Sequence, residues 1–244
     1  MKLTKCEWEI QNLNCNVVEV QIDNNDCFNQ TVIEKLINYY EYTVVKVPMN
    51  MFEFNFRLSQ MGFTLVENQL NISKKIKEFN FNLIQDIKDK LSFKNVEVES
   101  DLDDVVGSIT EGMFSTDRIA IDRHFGPEKS MIRYRNWILS DYHSKASNIT
   151  KVFYCSEEVG FMMFKIQKGE FKLLLNGLYK KWQGKHLGII TPSSPFLYRD
   201  FSEEPFEVVS TSISSNNVRV VKLYNKLNFE LDNQNYVFVK HHHN

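Results

Sequence analysis

The sequence predicts a mixed α/β (α+β) fold in which one unit occurs twice. Three observations carry this. Strand-like and helix-like segments alternate through the first third of the chain. The second half runs helix, strands, loop, helix, strand, helix, strand. One strand–turn–helix–strand grammar occurs twice, at a constant offset of 166 residues. The length agrees: 244 residues correspond to roughly 1.6 domains at ~150 residues each.

The elements follow from periodicity. Asn16–Asp23 alternates and reads as a strand. Phe28, Val32, Leu36 and Tyr39/Tyr40 recur at helical spacing, so Phe28–Tyr40 reads as a helix. Tyr42–Val47 is rich in β-branched residues and reads as a strand. Met51–Gln60 reads as a helix stopped by Gly62, and Phe63–Ile72 as a strand. Lys74–Phe93 is charged and partly helical. Asp101, inside the acidic run Glu97–Asp104, is the expected N-cap of a helix reaching about Gly112.

Gly126-Pro127 opens an amphipathic helix to about His143, with Pro127 suited to its first position. Strands are expected at Lys151–Ser156, Gly160–Gln167 and Glu170–Leu175. A short helix should follow Gly188, shortened or kinked by Pro192 and Pro195. A strand at Phe206–Ser214, a helix at Asn217–Leu227 and a strand at Phe229–Lys240 complete the chain.

The repeat aligns Val44–Phe63 with Ser210–Phe229. Asn50 falls opposite Asn216, Met51 opposite Asn217 and Leu58 opposite Tyr224. The first copy thus keeps the elements but carries apolar side chains where the second has Asn and Tyr. Gly62 and Asn228 share the helix-to-strand cap, where a left-handed residue is expected.

Composition excludes several classes. Hydrophobic residues at 43% and charged residues at 25% are those of a globular protein. A net charge of −2 gives no basic field for a nucleic-acid backbone. No stretch approaches the ~20 apolar residues of a membrane span. Met1–Glu7 lacks the apolar core of a signal peptide. Cys6, Cys15, Cys27 and Cys155 show no metal-ligand spacing and read as free cytosolic thiols. No metal site is assigned. The tail His241–Asn244 could take up a metal opportunistically and otherwise reads as a loose terminus or tag remnant.

The segment Gln183-Gly184-Lys185-His186-Leu187-Gly188 follows an apolar strand and precedes a helix. Such a turn exposes successive backbone N–H groups at a helix start, which suits a pyrophosphate. This loop resembles the coenzyme A motif of the GCN5-related N-acetyltransferases. Asn216–Phe229 resembles that family's last helix and strand entry, with Asn217 seven residues before Tyr224. Cys6–Trp8, Tyr42–Pro48, Met61–Phe63, Phe114–Arg118 and Arg133–Trp137 further resemble dTDP-fucosamine acetyltransferases and related bacterial sugar N-acyltransferases. The chain departs from the pattern at His186 and Asn228, where Gly is usual.

The resemblance implies residues 1–80 as a partial half, 81–240 as the acyl-CoA-binding half and 241–244 as a tail. It implies acetyl-CoA or another acyl-CoA as cofactor. Gln183, Gly184, Lys185, His186, Leu187, Gly188, Leu178 and Asn217 would bind it, and Asn216 is not separated from Asn217 in that role. Tyr224 would be the general acid and the Leu178 backbone N–H the oxyanion donor. The acceptor would be a dTDP- or UDP-linked amino sugar, with Asp117, Arg118, Asp122 and Arg133 on the acceptor side. Arg135 is a further candidate for its diphosphate. Asp117, Asp122, His124, Glu111 or water would serve as base. The expected setting is the bacterial cytoplasm and surface-polysaccharide synthesis, with a homodimer left open. Acetylation of a protein N-terminus or small amine, and non-catalytic coenzyme sensing, are the alternatives.

Overall fold

A computed structural model describes residues 1–242. Its elements, in chain order, are β1 (Lys2–Lys5), α1 (Glu7–Leu13), β2 (Val17–Gln21), α2 (Gln30–Tyr39), β3 (Tyr42–Pro48), α3 (Phe52–Gln60) and β4 (Thr64–Lys75). Then come α4 (Gln85–Lys88), β5 (Leu91–Asn95), α5 (Glu99–Ser108), α6 (Gly126–His143), β6 (Asn148–Tyr154), β7 (Glu157–Gln167) and β8 (Glu170–Leu178). The chain closes with α7 (Ile190–Tyr198), β9 (Val208–Ser214), α8 (Val218–Lys226) and β10 (Glu230–His241).

All ten strands form one sheet in the order β1-β2-β3-β10-β4-β9-β8-β7-β6-β5. The halves are therefore interlocked: β10 lies between β3 and β4, and β4 lies between β10 and β9. The 166-residue offset maps β3, α3 and β4 onto β9, α8 and β10 residue for residue. It also maps the hydrogen bonds. Met49 N–H to Gln234 O corresponds to Ser215 N–H to Asn68 O, and Ile76 N–H to Glu207 O corresponds to His242 N–H to Glu41 O. In the antiparallel β4–β10 pair Gln69 faces Asn235, and register shifts occur on either side. The extra residues, Val66 and Asp232, are themselves 166 apart. A pseudo-twofold axis thus passes between Gln69 and Asn235.

The cap between helix and strand repeats as well. Gly62 has φ 80° and Asn228 φ 57°. Asn tolerates this left-handed geometry better than other side-chain-bearing residues, which explains its place where Gly is usual.

The two copies differ in one structural respect. β2 and β3 run parallel over Val17–Gln21 and Tyr42–Lys46, and β2 ends where that pairing ends. β8 and β9 are parallel only over Glu170–Leu173 and Val208–Thr211. β8 then continues to Leu178 paired with β7 only, so its last five residues are free of β9.

Both sheet faces are packed against helices in each half. In the second half, Phe164, Phe171, Phe196 and Val209 pack on the α7 side, and Phe161, Met163, Leu102 and Ile138 on the α5–α6 side. In the first, Val18, Val45, Phe54 and Leu58 pack beneath α2 and α3, and Leu13, Val17, Tyr42 and Val237 beside α1.

Several expectations are corrected. β1, α1 and β5 are short elements that periodicity did not register. The N-cap of α5 is Val98, and Asp101 sits in the first turn, where its carboxylate meets Lys94 and Lys151. α7 runs through both prolines. Pro192 falls in its first turn, where no intrahelical donor is needed. Around Pro195, Ser193 and Ser194 hydroxyls donate to the Ile189 and Ile190 carbonyls. His241 is the last residue of β10, paired with Tyr42, and His242 N–H donates to Glu41 O at 2.8 Å. His243 and Asn244 lie outside the described residues.

β7 and β8 approach closely where β8 begins to diverge. A Cβ on Gly160 would lie 2.1 Å from the Gly177 carbonyl oxygen. Gly160→Ala should therefore cost about 1–3 kcal/mol, read as a lowered thermal midpoint. Gly177→Ala should cost less, because the atom it meets is the mobile Met113 Cε.

Candidate active site

The divergence of β8 from β9 opens a cleft of about 950 Å³. Its backbone chemistry follows from strand alternation. Tyr179 N–H donates to Val159 O at 2.9 Å, so Tyr179 turns its backbone toward β7. Leu178 and Asn176 then turn theirs the other way, into the gap. Leu174 is the extra residue at the register shift between Met163 and Phe164. It sits at the crotch, one residue beyond the last β8–β9 pair. The unpaired end of β8 therefore offers an edge to an extended ligand.

Tyr224 closes the crotch. It is 3% exposed, projects from α8, and lines the cleft with Asn176 and Thr211. Burial pushes its phenol well above the usual tyrosine range, against hydrogen bonding from the Asn176 and Thr211 side chains. The phenol therefore stays protonated at neutral pH. Asn176 Nδ2 donates to Thr191 O at 3.1 Å, which orients the amide.

At the mouth lies the Gln183–Gly188 loop. Gln183 Nε2 donates to Leu178 O at 3.0 Å and ties the loop to the end of β8. Gly184 has φ 77° and His186 φ 61°, so the imidazole-bearing residue adopts the left-handed turn a glycine would take. Gln183, Gly184 and Gly188 line the cleft, whereas Lys185, His186 and Leu187 lie outside its lining. Lys185 Nζ sits 4.6 Å from the Trp182 ring centre.

The opposite wall is the start of α8. Asn217 is its N-cap, accepting from Val220 N–H at 3.2 Å. Asn216 instead reaches across to the first half, donating from Nδ2 to Val66 O at 2.9 Å. The two asparagines thus have separate duties.

The far end of the cleft, on the α6 side, is walled by Asp117, Arg118, Arg133, Tyr134, Trp137 and Glu67. Asp117 accepts from Ile119 N–H and from the Ser130 hydroxyl. Arg133 grips Glu9 through Nε and Nη2 at 2.8–3.0 Å, and Arg118 Nη2 reaches the same carboxylate at 2.8 Å. Glu9 is 5% exposed. Burial alone would raise its pKa, but the two guanidinium groups outweigh it and hold the carboxyl below its usual range.

Of the acceptor-side residues named from sequence, Asp117, Arg118 and Arg133 come together in the cleft. Asp122 does not: its Oδ2 lies 2.7 Å from His241 Nε2, outside the lining. His124, Glu111 and Arg135 are also outside it, with Arg135 donating to Ile109 O. Sequence reasoning missed Glu67, Leu174 and Asn176. Glu67 stands on β4, and among the described residues no hydrogen bond or ion pair engages its carboxylate. Only the alternation along β4 hinted at it.

No family model matches the chain, and no curated protein does. The fold is shared with solved structures at low identity. A GCN5-related N-acetyltransferase from Sphaerobacter thermophilus matches with TM-score 0.55 and 10% identity over 83% of this chain, which spans 60% of that structure's length. A tandem GNAT protein from the clavulanic acid biosynthesis pathway matches with TM-score 0.57 and 9% identity, over 93% of this chain and 76% of that one. A conserved protein of unknown function from Staphylococcus epidermidis matches with TM-score 0.62 and 14% identity, over 96% and 88%. The chain has the fold of the GCN5-related N-acetyltransferases, in its tandem form.

Glu9 supplies a stability test. Its pKa is depressed in the folded state, so its contribution is present above the unfolded value, ~4.3, and is lost as pH falls through the folded one. Glu9→Gln should cost about 3–5 kcal/mol at neutral pH, because Arg118 and Arg133 stay buried without their carboxylate. Urea titrations at pH 7 and pH 3.5 should show the gap between variant and wild type narrowing in acid.

Proposed function

We propose that this chain is an acyl-coenzyme A-dependent N-acyltransferase. The observation that carries the reading is the five-residue unpaired end of β8 with the Tyr224 phenol at its crotch. The pantetheine arm of coenzyme A extends that free edge. The pyrophosphate lies at the mouth, between the Gln183–Gly188 amides and the α8 start at Asn217. Lys185, stacked over Trp182, and His186 would flank the phosphates at the rim of the mouth, and Leu187 packs the loop against the core. Acetyl-CoA or another short acyl-CoA is the cofactor.

An acceptor amine attacks the thioester carbonyl. The developing oxyanion is met by a backbone amide of the divergent strand. Leu174 and Asn176 stand nearer the crotch, while Leu178 stands at the loop end and holds the pantetheine. The C–S bond breaks, and the thiolate takes the proton of Tyr224. The proton released by the amine passes, directly or through water, to Glu67. Asp117, with both oxygens already accepting hydrogen bonds, positions the wall rather than the proton.

For the acceptor we favour a dTDP- or UDP-linked amino-deoxy hexose, made in the bacterial cytoplasm for surface polysaccharide. What supports it is the acceptor end itself. Gln69, Ser212 and Ser214 give a polar, uncharged floor suited to hydroxyls, and Tyr134 and Trp137 give aromatic faces. In this division of labour residues 1–80 are the partial half and 81–240 the acyl-CoA-binding half. One chain supplies every group named, so a homodimer is not required.

Thiol release from acetyl-CoA, measured against dTDP- and UDP-linked amino sugars, peptide amines and small amines, tests the reading. Turnover only on a peptide would reassign the acceptor, and coenzyme binding without any turnover would make the chain a sensor. Tyr224→Phe should lower kcat by about 10²-fold or more with little change in KM for acyl-CoA. Glu67→Gln should lower kcat/KM for the amine by about 10²-fold near neutral pH. That deficit should shrink as pH rises and the amine becomes neutral without help.

A further inference from the structure

Away from the cleft, one cluster has chemistry that acyl transfer does not use. Asp122, His124 and His241 bring a carboxylate and two imidazoles together, with one ligand atom from each lying within 4.8 Å of the others. We propose that these three side chains bind a divalent transition-metal ion such as Zn²⁺. The site pins the end of the central strand β10 to the loop preceding α6.

The donor set fits. Imidazole nitrogen and carboxylate oxygen are the ligands of borderline ions such as Zn²⁺, and three protein ligands plus water complete a tetrahedron. The residues are also held in place before any ion arrives. Asp122 sits in a tight turn, with Phe125 and Gly126 N–H groups donating to its carbonyl oxygen, and its Oδ1 accepts from His124 N–H at 2.9 Å. His241 is fixed by strand pairing with Tyr42, and its ring packs against Tyr42 and Phe125 at centroid distances of 4.6 and 5.1 Å. The His124 ring lies over it at 4.1 Å.

Charge and burial point the same way. The Asp122 side chain is 6% exposed and that of His241 17%. Among the described residues no Lys or Arg pairs with Asp122; its polar partners are His241 and the His124 backbone. A nearly buried carboxylate with an imidazole and a backbone amide as its partners gains from a cation held beside it. His124 is exposed, so the cluster opens to solvent on one side and its ring can turn inward. Tetrahedral zinc requires ligand atoms ~3.3 Å apart, a closure within reach of that side chain. The ion would be structural, since none of the three residues lines the cleft.

The test uses the full chain, stripped with chelator and titrated calorimetrically with Zn²⁺, with Co²⁺ as a spectroscopic probe. The expected result is one ion per chain, tetrahedral Co²⁺ absorption bands, and a higher thermal midpoint with Zn²⁺. His124→Ala, at an exposed position that leaves the fold intact, and Asp122→Asn should each weaken Zn²⁺ affinity at least about tenfold. The double variant His242→Ala/His243→Ala should bind like wild type. Absence of binding, unchanged affinity in His124→Ala, or loss of binding in the double variant would overturn the proposal. The last result would mean chelation by the histidine run. None of these readouts depends on acyl transfer, so this site and the proposed activity can fail separately.

Discussion

The antiparallel pairing of β4 with β10 is the interaction on which the rest of the molecule depends. It is centred on Gln69 and Asn235, and each strand comes from the other half's repeat. Without it, β10 would present a bare edge on one side and β4 on the other. Unpaired edges in the middle of a sheet leave backbone donors and acceptors without partners, which a folded protein does not tolerate when they are buried. Exchange of the two strands satisfies both edges at once. It makes the halves inseparable and explains a length that is too short for two independent domains.

Against that symmetry, the divergence of β8 is the asymmetry that creates a site. β2 stops where its pairing with β3 stops, so it has no unpaired continuation to offer a ligand. β8 runs on for five residues, packed on β7 by the Gly160–Gly177 approach and released from β9. The side chains agree with the backbone. Leu58 in the first copy is wholly buried in core, whereas its counterpart Tyr224 keeps a phenol at the crotch of the cleft. One copy retains the elements as scaffold, and the other keeps them open.

Much of this was legible in the sequence where a feature is local. The 166-residue offset was visible because Val44–Phe63 and Ser210–Phe229 share one rhythm, and the αL caps at Gly62 and Asn228 obey a rule of single residues. The Asn217 cap and the glycine turn at Gly184 were equally local. The exchange of β4 and β10 was not legible, because strand pairing across ~160 residues leaves no trace in either strand's own alternation. For the same reason Glu67 was passed over. Its position matters only because β4 runs beside β9 and brings Glu67 to the same cleft as Arg133 and Tyr134. Asp122 and His241 misled in the opposite direction, one read with the acceptor site and one with the tail. They are 119 residues apart in sequence and meet only through the pairing of β10 with β3.

The first half is then more than a vestige. Its contributions reach the second half's cleft or hold residues that line it. Glu67 and Gln69 come from β4, Val66 O receives Asn216 from the turn before α8, and Glu9 from α1 holds Arg118 and Arg133 in the wall. A buried carboxylate shared by two arginines is an expensive way to stabilise a fold, and apolar packing of the same volume would serve stability as well or better. What such a cluster does provide is a fixed orientation for two guanidinium groups at the edge of a cavity. The physical case for the tandem arrangement is therefore positional. The complete half carries the divergent strand, the loop, the phenol and the arginines and aromatics of the wall, and the partial half supplies Glu67, Gln69 and the Glu9 carboxylate that holds those arginines in place.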